Sequence, residues 1–175
     1  MKTGFTNGAN RCLVTACKRG DLDIICVVLG CDTKKDRTKD SIYLINYIFN
    51  NFSIVNIKDL IQKEFNKWNT NNTNTFTINK GLNQNLIPIY SEAQLPYENI
   101  AVKNSDIPNI KINIVFDTYF DAPILYEDKI GLINVYITDN TYFSLDILSS
   151  NTIKRKNILY YINMFIKDYF SLLTF

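Results

Sequence analysis

The first residues of the chain combine a cation, two hydroxyl groups and a glycine. Lys2 carries an ammonium group, and Thr3 and Thr6 carry hydroxyl groups. Gly4 has no side chain and therefore lets another backbone approach closely. Further along, Arg37 offers a planar guanidinium group that can bind a carboxylate through two hydrogen bonds. Spacing alone favours a plainer interpretation, in which Lys2 and Arg37 are solvated surface charges.

The residue types that are missing exclude several other chemistries. The chain has no histidine, so it holds no Ser-His-Asp triad, no histidine general base and no histidine metal ligand. Its net charge of +2 is small and evenly spread, which argues against a nucleic-acid partner. No cofactor is predicted.

The four cysteines also argue against a metal site. They are not spaced as Cys-x-x-Cys pairs, so no metal is expected. They fall on apolar predicted strands or at their ends, which favours buried, inert thiols. A cross-strand disulfide is the alternative if the protein is exported. The cysteines are Cys12, Cys17, Cys26 and Cys31.

The N-terminal third of the chain predicts a small sheet with a helix on it. Apolar runs at 11–18 and 22–29 flank a polar segment, 18–21, that is typical of a tight hairpin turn. Both runs are nearly continuous in apolar residues, as in strands that are covered on both faces. Helical spacing of apolar residues follows at 36–51. This helix is expected to lie on the sheet.

The rest of the chain predicts a second helix and then short strands. An apolar stripe favours a helix at 57–68, and the polar residues 69–74 favour a loop between domains. Short alternating runs then predict a small antiparallel β-sandwich. These runs lie at 75–80, 98–103, 110–118, 129–137 and 141–148. The predicted fold class is α+β.

Residues 1–52 resemble the end of the transpeptidase-like domain of low-molecular-mass D-alanyl-D-alanine carboxypeptidases. These are penicillin-binding serine peptidases whose active sites combine Ser-x-x-Lys, Ser-x-Asn and Lys-Thr-Gly motifs. The likeness comprises the strand Lys-Thr-Gly-Phe-Thr, the strand Ala-Asn-Arg-Cys-Leu-Val-Thr-Ala, a strand ending Val-Val-Leu-Gly, and the helix after Arg37. A fainter likeness to that family's C-terminal β-domain extends through 110–150.

The resemblance implies a role for each candidate residue. Lys2 is the catalytic candidate, whose ammonium raises the local positive potential and contacts a serine of the second motif. Thr3 is the middle residue of the motif, and Gly4 admits the substrate backbone. Thr6 directs its hydroxyl towards the terminal carboxylate of the substrate, and Arg37 helps to hold that carboxylate.

The resemblance also implies an activity that this chain lacks by itself. None of its serines has lysine three residues later, so the nucleophile is absent. The chain is expected to be the C-terminal part of an enzyme, inactive alone. The intact enzyme would remove the terminal D-alanine of peptidoglycan stem pentapeptides through an acyl-enzyme, and would bind β-lactams. It would act at the outer face of the cytoplasmic membrane, although no signal peptide begins this chain.

Two alternatives remain open at this level. The chain could be a non-catalytic β-domain that mediates interaction or membrane-surface positioning. It could also derive from a β-lactamase, but such enzymes normally end soon after the helix at 36–51, whereas this chain continues well past residue 75.

The expected division is a catalytic-domain part at 1–52, a linker with a helix at 53–74, a β-sandwich at 75–153 and a membrane-associating helix at 154–175.

The C-terminal segment favours contact with a membrane surface. The basic run 154–156 precedes an amphipathic helix with aromatic residues, as in helices that lie in the membrane interface. The alternative is a helix packed on the protein's own core. The apolar face of the helix is expected to comprise Ile158, Ile162, Phe165, Ile166, Tyr169 and Leu173.

Overall fold

The computed structural model describes residues 1–72, 75–138 and 140–172. It has an α+β fold with antiparallel sheets and a C-terminal helix, which confirms the predicted fold class. The chain forms two compact units. One comprises Met1–Lys58 with Tyr97–Ile110, and the other comprises Asp59–Pro96 with Lys111–Phe175.

A three-stranded antiparallel sheet and one helix form most of the first unit. The strands are β1 (Lys2–Thr6), β2 (Asn10–Arg19) and β3 (Leu22–Cys31), and they lie in that order. The predicted hairpin joins β2 to β3 through Gly20 and Asp21. Gly20 has a φ of 60°, the positive value that a type II′ turn requires at its first position.

Helix α1 (Lys34–Asn51) packs on one face of this sheet. Leu13, Cys26 and Val28 are buried on that face. The buried Ser41 of α1 lies 3.5 Å from the hydroxyl oxygen of Thr15, which is directly opposite Cys26 in the register. The buried residues of this sheet therefore lie on the one face that α1 covers.

The start of α1 differs from the sequence-based expectation. The helix begins at Lys34, two residues earlier than predicted, because Thr33 caps it by accepting the backbone N–H of Asp36 at 3.1 Å. Arg37 therefore lies in the first turn of the helix and not in a loop.

The first unit also contains a two-stranded ribbon. Strand β4 (Phe52–Asn56) follows α1 directly and pairs antiparallel with β7 (Asn99–Lys103). The sequence analysis predicted a strand near β7 but none at β4.

The second unit is built on a four-stranded antiparallel sheet and helix α2 (Ile57–Asn72). Strands of the sheet, in spatial order, are β6 (Pro88–Tyr90), β11 (Asn140–Ser149), β10 (Lys129–Ile137) and β8 (Lys111–Phe116). A parallel pair, β5 (Thr77–Asn79) and β9 (Tyr119–Asp121), accompanies it. Fully buried residues of this unit are Ile61, Ile78, Ile133, Val135, Leu145, Ile147, Ser149 and Ile153.

Helix α2 is longer than predicted and ends in part of the expected loop. It extends through residues 69–72, and residues 73 and 74 lie outside the described part of the chain. The rings of Phe65 and Trp68 lie on its buried side, where Phe65 meets Tyr90 with ring centroids 5.2 Å apart. Helix α3 (Ile158–Leu172) ends the described chain.

Candidate functional site

Strand β1, which carries the Lys-Thr-Gly sequence, is an edge strand of the first sheet. It pairs with β2 in an unbroken register from Lys2 opposite Val14 to Thr6 opposite Asn10. No residue that the structure describes pairs with its other edge. All five of its residues are exposed. The strand thus presents a row of backbone N–H and C=O groups that another extended chain could bind.

The register divides the candidate residues of β1 between the two faces of the sheet. Residues directly opposite each other in a ladder share a face, and successive residues alternate. Thr3 lies opposite the buried Leu13 and is therefore on the side that carries α1. Lys2, Gly4 and Thr6 consequently lie on the other side. The residues of the motif therefore lie on both faces of the sheet, at its edge.

Thr6 has a structural contact in addition to its expected role. Its side-chain oxygen accepts the backbone N–H of Ala9 at 3.0 Å and thereby closes the turn between β1 and β2. A hydroxyl group also has a proton to donate, so a further acceptor, such as a carboxylate, is compatible with this contact.

Arg37 combines partial burial with an unsatisfied donor. Its Nε is buried and has no hydrogen-bond partner among the described residues. A buried N–H without an acceptor costs free energy, on the order of 1–3 kcal/mol. Because α1 covers the Thr3 side of the sheet, the structure places Arg37 on the same side as Thr3 and not with Lys2.

Arg11 is a cation beside the motif that the sequence analysis did not single out. Its guanidinium carbon lies 4.8 Å from the centroid of the Phe5 ring, directly across the β1–β2 ladder. The alternation of side chains along β2 predicts that Arg11 lies on the same face as Leu13, two residues away. Its sequence neighbours gave no indication that it lies opposite Phe5.

The four cysteines are free thiols. Only Cys26 is buried, whereas the other three are half-buried, so the expectation of buried thiols holds for one of them. Partial desolvation raises the pKa of Cys31, and the nearby carboxylates of Asp40 and Asp36 raise it further. A thiol with a raised pKa is a poor nucleophile at neutral pH. In the described parts of the chain, no group of acidic, cysteine or histidine side chains is arranged to hold a metal ion.

The segment before α3 is fixed to the second unit by backbone hydrogen bonds. Lys154 accepts the N–H of Leu82 at 2.9 Å, and Lys156 donates its N–H to Lys80 at 2.8 Å. Asn157 then caps the helix by accepting the N–H of Tyr160 at 3.0 Å. The basic run therefore has a defined position at the start of the helix.

Helix α3 itself is exposed. All its side chains from 158 to 171 are exposed, including Phe165 at 72% and Phe170 at 62%. Leu173, which was expected on the apolar face, lies outside the described residues. None of the helices that the structure describes has the length and apolar character needed to cross a membrane.

Comparison with known proteins shows similarity at the level of structure. No protein-family model matches the sequence, and no curated protein matches it. Among solved structures, the D-alanyl-D-alanine carboxypeptidase DacD from Francisella tularensis is similar, with a TM-score of 0.53 and 22% identity over 89% of this chain and 36% of that one. Penicillin binding protein 6B from Escherichia coli has a TM-score of 0.52 and 20% identity over 85% of this chain and 33% of that one.

The chain spans about a third of the length of these two proteins. Sequence identities near 20% with these TM-scores establish the fold. The α+β arrangement described above is therefore that of a part of these two proteins.

Proposed function

We propose that this chain carries one wall of the active site of a serine-type D-alanyl-D-alanine carboxypeptidase. The observation that supports this most strongly is the position of the Lys-Thr-Gly sequence on an exposed edge strand, β1, in a fold similar to that of DacD. The proposed catalytic-domain part is residues 1–52, and residues 75–153 form the proposed C-terminal β-domain.

The chemistry of the reaction matches the residue types at this edge. An extended peptide substrate pairs with the free edge of β1, and Gly4 leaves space for its backbone. Lys2 supplies positive potential beside the attacked carbonyl group, where negative charge develops. Thr6 directs its hydroxyl group towards the free carboxylate of the terminal D-alanine, and Arg37 helps to hold that carboxylate from the other side of the strand. The nucleophilic serine and its base come from Ser-x-x-Lys sequence outside this chain.

Covalent labelling by a fluorescent penicillin tests this proposal. We expect no labelling of the 175-residue chain, because it has no Ser-x-x-Lys. We expect strong labelling of a longer protein in which upstream sequence supplies the Ser-x-x-Lys and Ser-x-Asn motifs. A longer protein that folds and remains unlabelled would overturn the proposal.

Two variants of the longer protein test the residue roles. Lys2→Ala should slow acylation by penicillin and by a D-Ala-D-Ala peptide on the order of a hundredfold. Arg37→Ala should weaken turnover of substrates with a free terminal carboxylate and leave the unfolding free energy nearly unchanged. Lys35→Ala, an exposed neighbour in α1, is the matched control. An Arg37→Ala protein that loses stability but keeps normal turnover would contradict the assignment.

We also propose that residues 154–175 bind the surface of an anionic membrane. Three observations on the described residues support this: the basic run is held at the base of α3, the helix is rich in apolar and aromatic side chains, and those side chains are exposed. Each basic residue near an anionic surface contributes about 1 kcal/mol, and salt reduces this contribution.

Co-sedimentation with anionic vesicles tests membrane binding. The full chain should sediment with the vesicles, and a version that ends at Lys156 should not. Phe165→Asp places a charge among the apolar side chains and should abolish binding, whereas Asn163→Asp, the matched control, should weaken it only slightly. Equal sedimentation of the full and shortened chains would refute this proposal and favour a helix that docks on protein.

A further inference from the structure

Strand β8 is a regular, unprotected edge of the four-stranded sheet. It pairs with β10 through six consecutive residue pairs, from Lys111 opposite Tyr136 to Phe116 opposite Gly131, without a register shift. In the described part of the chain no strand pairs with its other edge. Edge strands normally carry a charged residue, a proline, a bulge or a cover that blocks further pairing. The charged residue of β8 is Lys111, at its first position. β8 contains no proline and no bulge, so its outer N–H and C=O groups are open to another strand.

A groove follows this edge. One cavity of about 290 Å³ is lined by Ile112, Asn113 and Ile114 of β8. Side chains of consecutive strand residues point to opposite faces of a sheet. Because three consecutive residues line the cavity, it borders the backbone edge of β8. The opposite wall is one face of α2, comprising Glu64, Lys67, Trp68, Asn71 and Asn72.

A second cavity continues the groove along the same edge. It has a volume of about 520 Å³, is lined by Lys111 and Tyr136, and shares Ile112 and Asn113 with the first cavity. The open edge is therefore accessible along most of β8.

The walls of the groove favour a single extended chain as its occupant. An added strand would lie about 4.8 Å from β8, and residues of α2 border the cavity beside that edge. Grooves between a sheet edge and a helix bind extended peptides in several recognition domains.

The same walls disfavour a carbohydrate. In the first cavity a sugar would find no free aromatic face, because the indole ring of Trp68 is stacked on Phe65, with ring centroids 5.7 Å apart, and lies 4.9 Å from the ring of Phe116. Asn71, Asn72 and Asn113 instead place amide side chains along the groove. Amides can pair with the backbone groups of a peptide.

The charges in the groove select among peptides. Lys67 and Lys111 line it, and neither ammonium group forms an ion pair with another described residue. Among the residues that line the two cavities, the acidic one is Glu64, which lines the first cavity. We infer that the groove between β8 and α2 binds an extended, acidic peptide segment of a partner protein, which adds to the sheet beside β8.

Fluorescence anisotropy with a designed peptide tests this inference. The probe is a labelled peptide of alternating valine and threonine with an aspartate at each end, added to the 175-residue chain. The matched control peptide has the same sequence with alternate backbone amides N-methylated, which removes the donors from one of its edges. The first peptide should bind and the second should not.

Two further measurements locate the complex. The probe should slow hydrogen exchange at the outward amides of β8. The double variant Lys67→Glu with Lys111→Glu should raise the Kd of the acidic probe about tenfold, since two favourable charge contacts become repulsive. Lys103→Glu, an exposed residue of β7 that lines neither cavity, should leave the Kd unchanged.

Several results would overturn the inference. The inference fails if the two peptides bind equally well or if the probe does not bind at millimolar concentration. It also fails if the probe slows hydrogen exchange elsewhere than at β8. Binding of N-acetylglucosamine oligomers in the groove without peptide binding would assign it to a carbohydrate. Dimerisation that protects β8 would assign the edge to a second copy of the chain.

Discussion

The two sheets of this protein differ in how their apolar side chains are covered. In the four-stranded sheet, Ile133 and Val135 of β10 are 0% exposed. In the three-stranded sheet, Ile25 of β3 is 75% exposed and Leu29 is 68% exposed. Both strands are rich in apolar residues, but β3 buries only those on the face that α1 covers.

The difference lies in the pattern of apolar residues along β3. This strand has apolar residues on both faces, and α1 covers one face only. Strands with continuous apolar runs are typical of sheets covered on both sides. The second unit therefore has a core of its own, whereas the first presents an apolar face beside the candidate site.

A matched pair of isoleucine truncations tests the contrast directly. Ile133→Ala removes a fully buried side chain and should lower the unfolding free energy by about 2–5 kcal/mol. Ile25→Ala removes an exposed side chain and should change it by no more than about 0.5 kcal/mol. Urea unfolding of the 175-residue chain measures both. Equal losses would show that the outer face of β3 is covered in solution.

A pair of glycine substitutions tests how tightly each region is packed. A Cβ atom at Gly131 would lie 2.7 Å from the carbonyl oxygen of Val115, so Gly131→Ala should destabilise the protein by about 1–3 kcal/mol. At Gly8 nothing lies within 4 Å of an added Cβ, so Gly8→Ala should have little effect. Thermal unfolding measures both variants. An unchanged Tm for Gly131→Ala would contradict the close approach of β8 to β10.

Removal of a helix cap tests how the first unit holds Arg37. Thr33→Ala removes the side chain that accepts the N–H of Asp36 and should cost about 1 kcal/mol. Thr38→Ala is the control, because the hydroxyl of Thr38 bonds back to the carbonyl of Lys34 within the helix and caps no free donor. Circular dichroism during urea unfolding measures both. Equal effects would argue against Thr33 as the cap.

The smallest expected effect concerns an acidic group in the second unit. Asp146 accepts a hydrogen bond from Gln94 at 2.8 Å and pairs with Lys129 at 2.5 Å, and these contacts lower its pKa, the bond from Gln94 most. Because its folded pKa lies below its unfolded pKa, the stabilisation is present above the unfolded pKa. It is lost as the pH falls through the folded pKa.

Asp146→Asn should therefore lower the unfolding free energy at neutral pH by up to about 1 kcal/mol, since the side chain is partly exposed. The difference from the unaltered protein should shrink as the solution is acidified below pH of about 4, near the unfolded pKa. Asp23→Asn breaks the exposed ion pair with Lys18 in the first unit and is the control, with no measurable loss expected. A difference for Asp146→Asn that stays constant with pH would refute this origin.

Local patterns in the sequence were sufficient for much of the first unit. The turn at Gly20, the strands on either side of it and the helix that follows depend on residues close together in the chain. The Lys-Thr-Gly sequence likewise indicated a strand, and β1 is one. The fold class followed from these elements and from the short strands of the second half.

Contacts between distant residues decided the rest. The pairing of β4 with β7, the parallel pair β5 and β9, and the packing of Trp68 against Phe116 join segments that are far apart in sequence. No local periodicity carries that information, because strand pairing depends on which edges meet. For the same reason, only the tertiary structure placed Arg37 on the Thr3 side of the sheet, with its Nε buried and without an acceptor among the described residues.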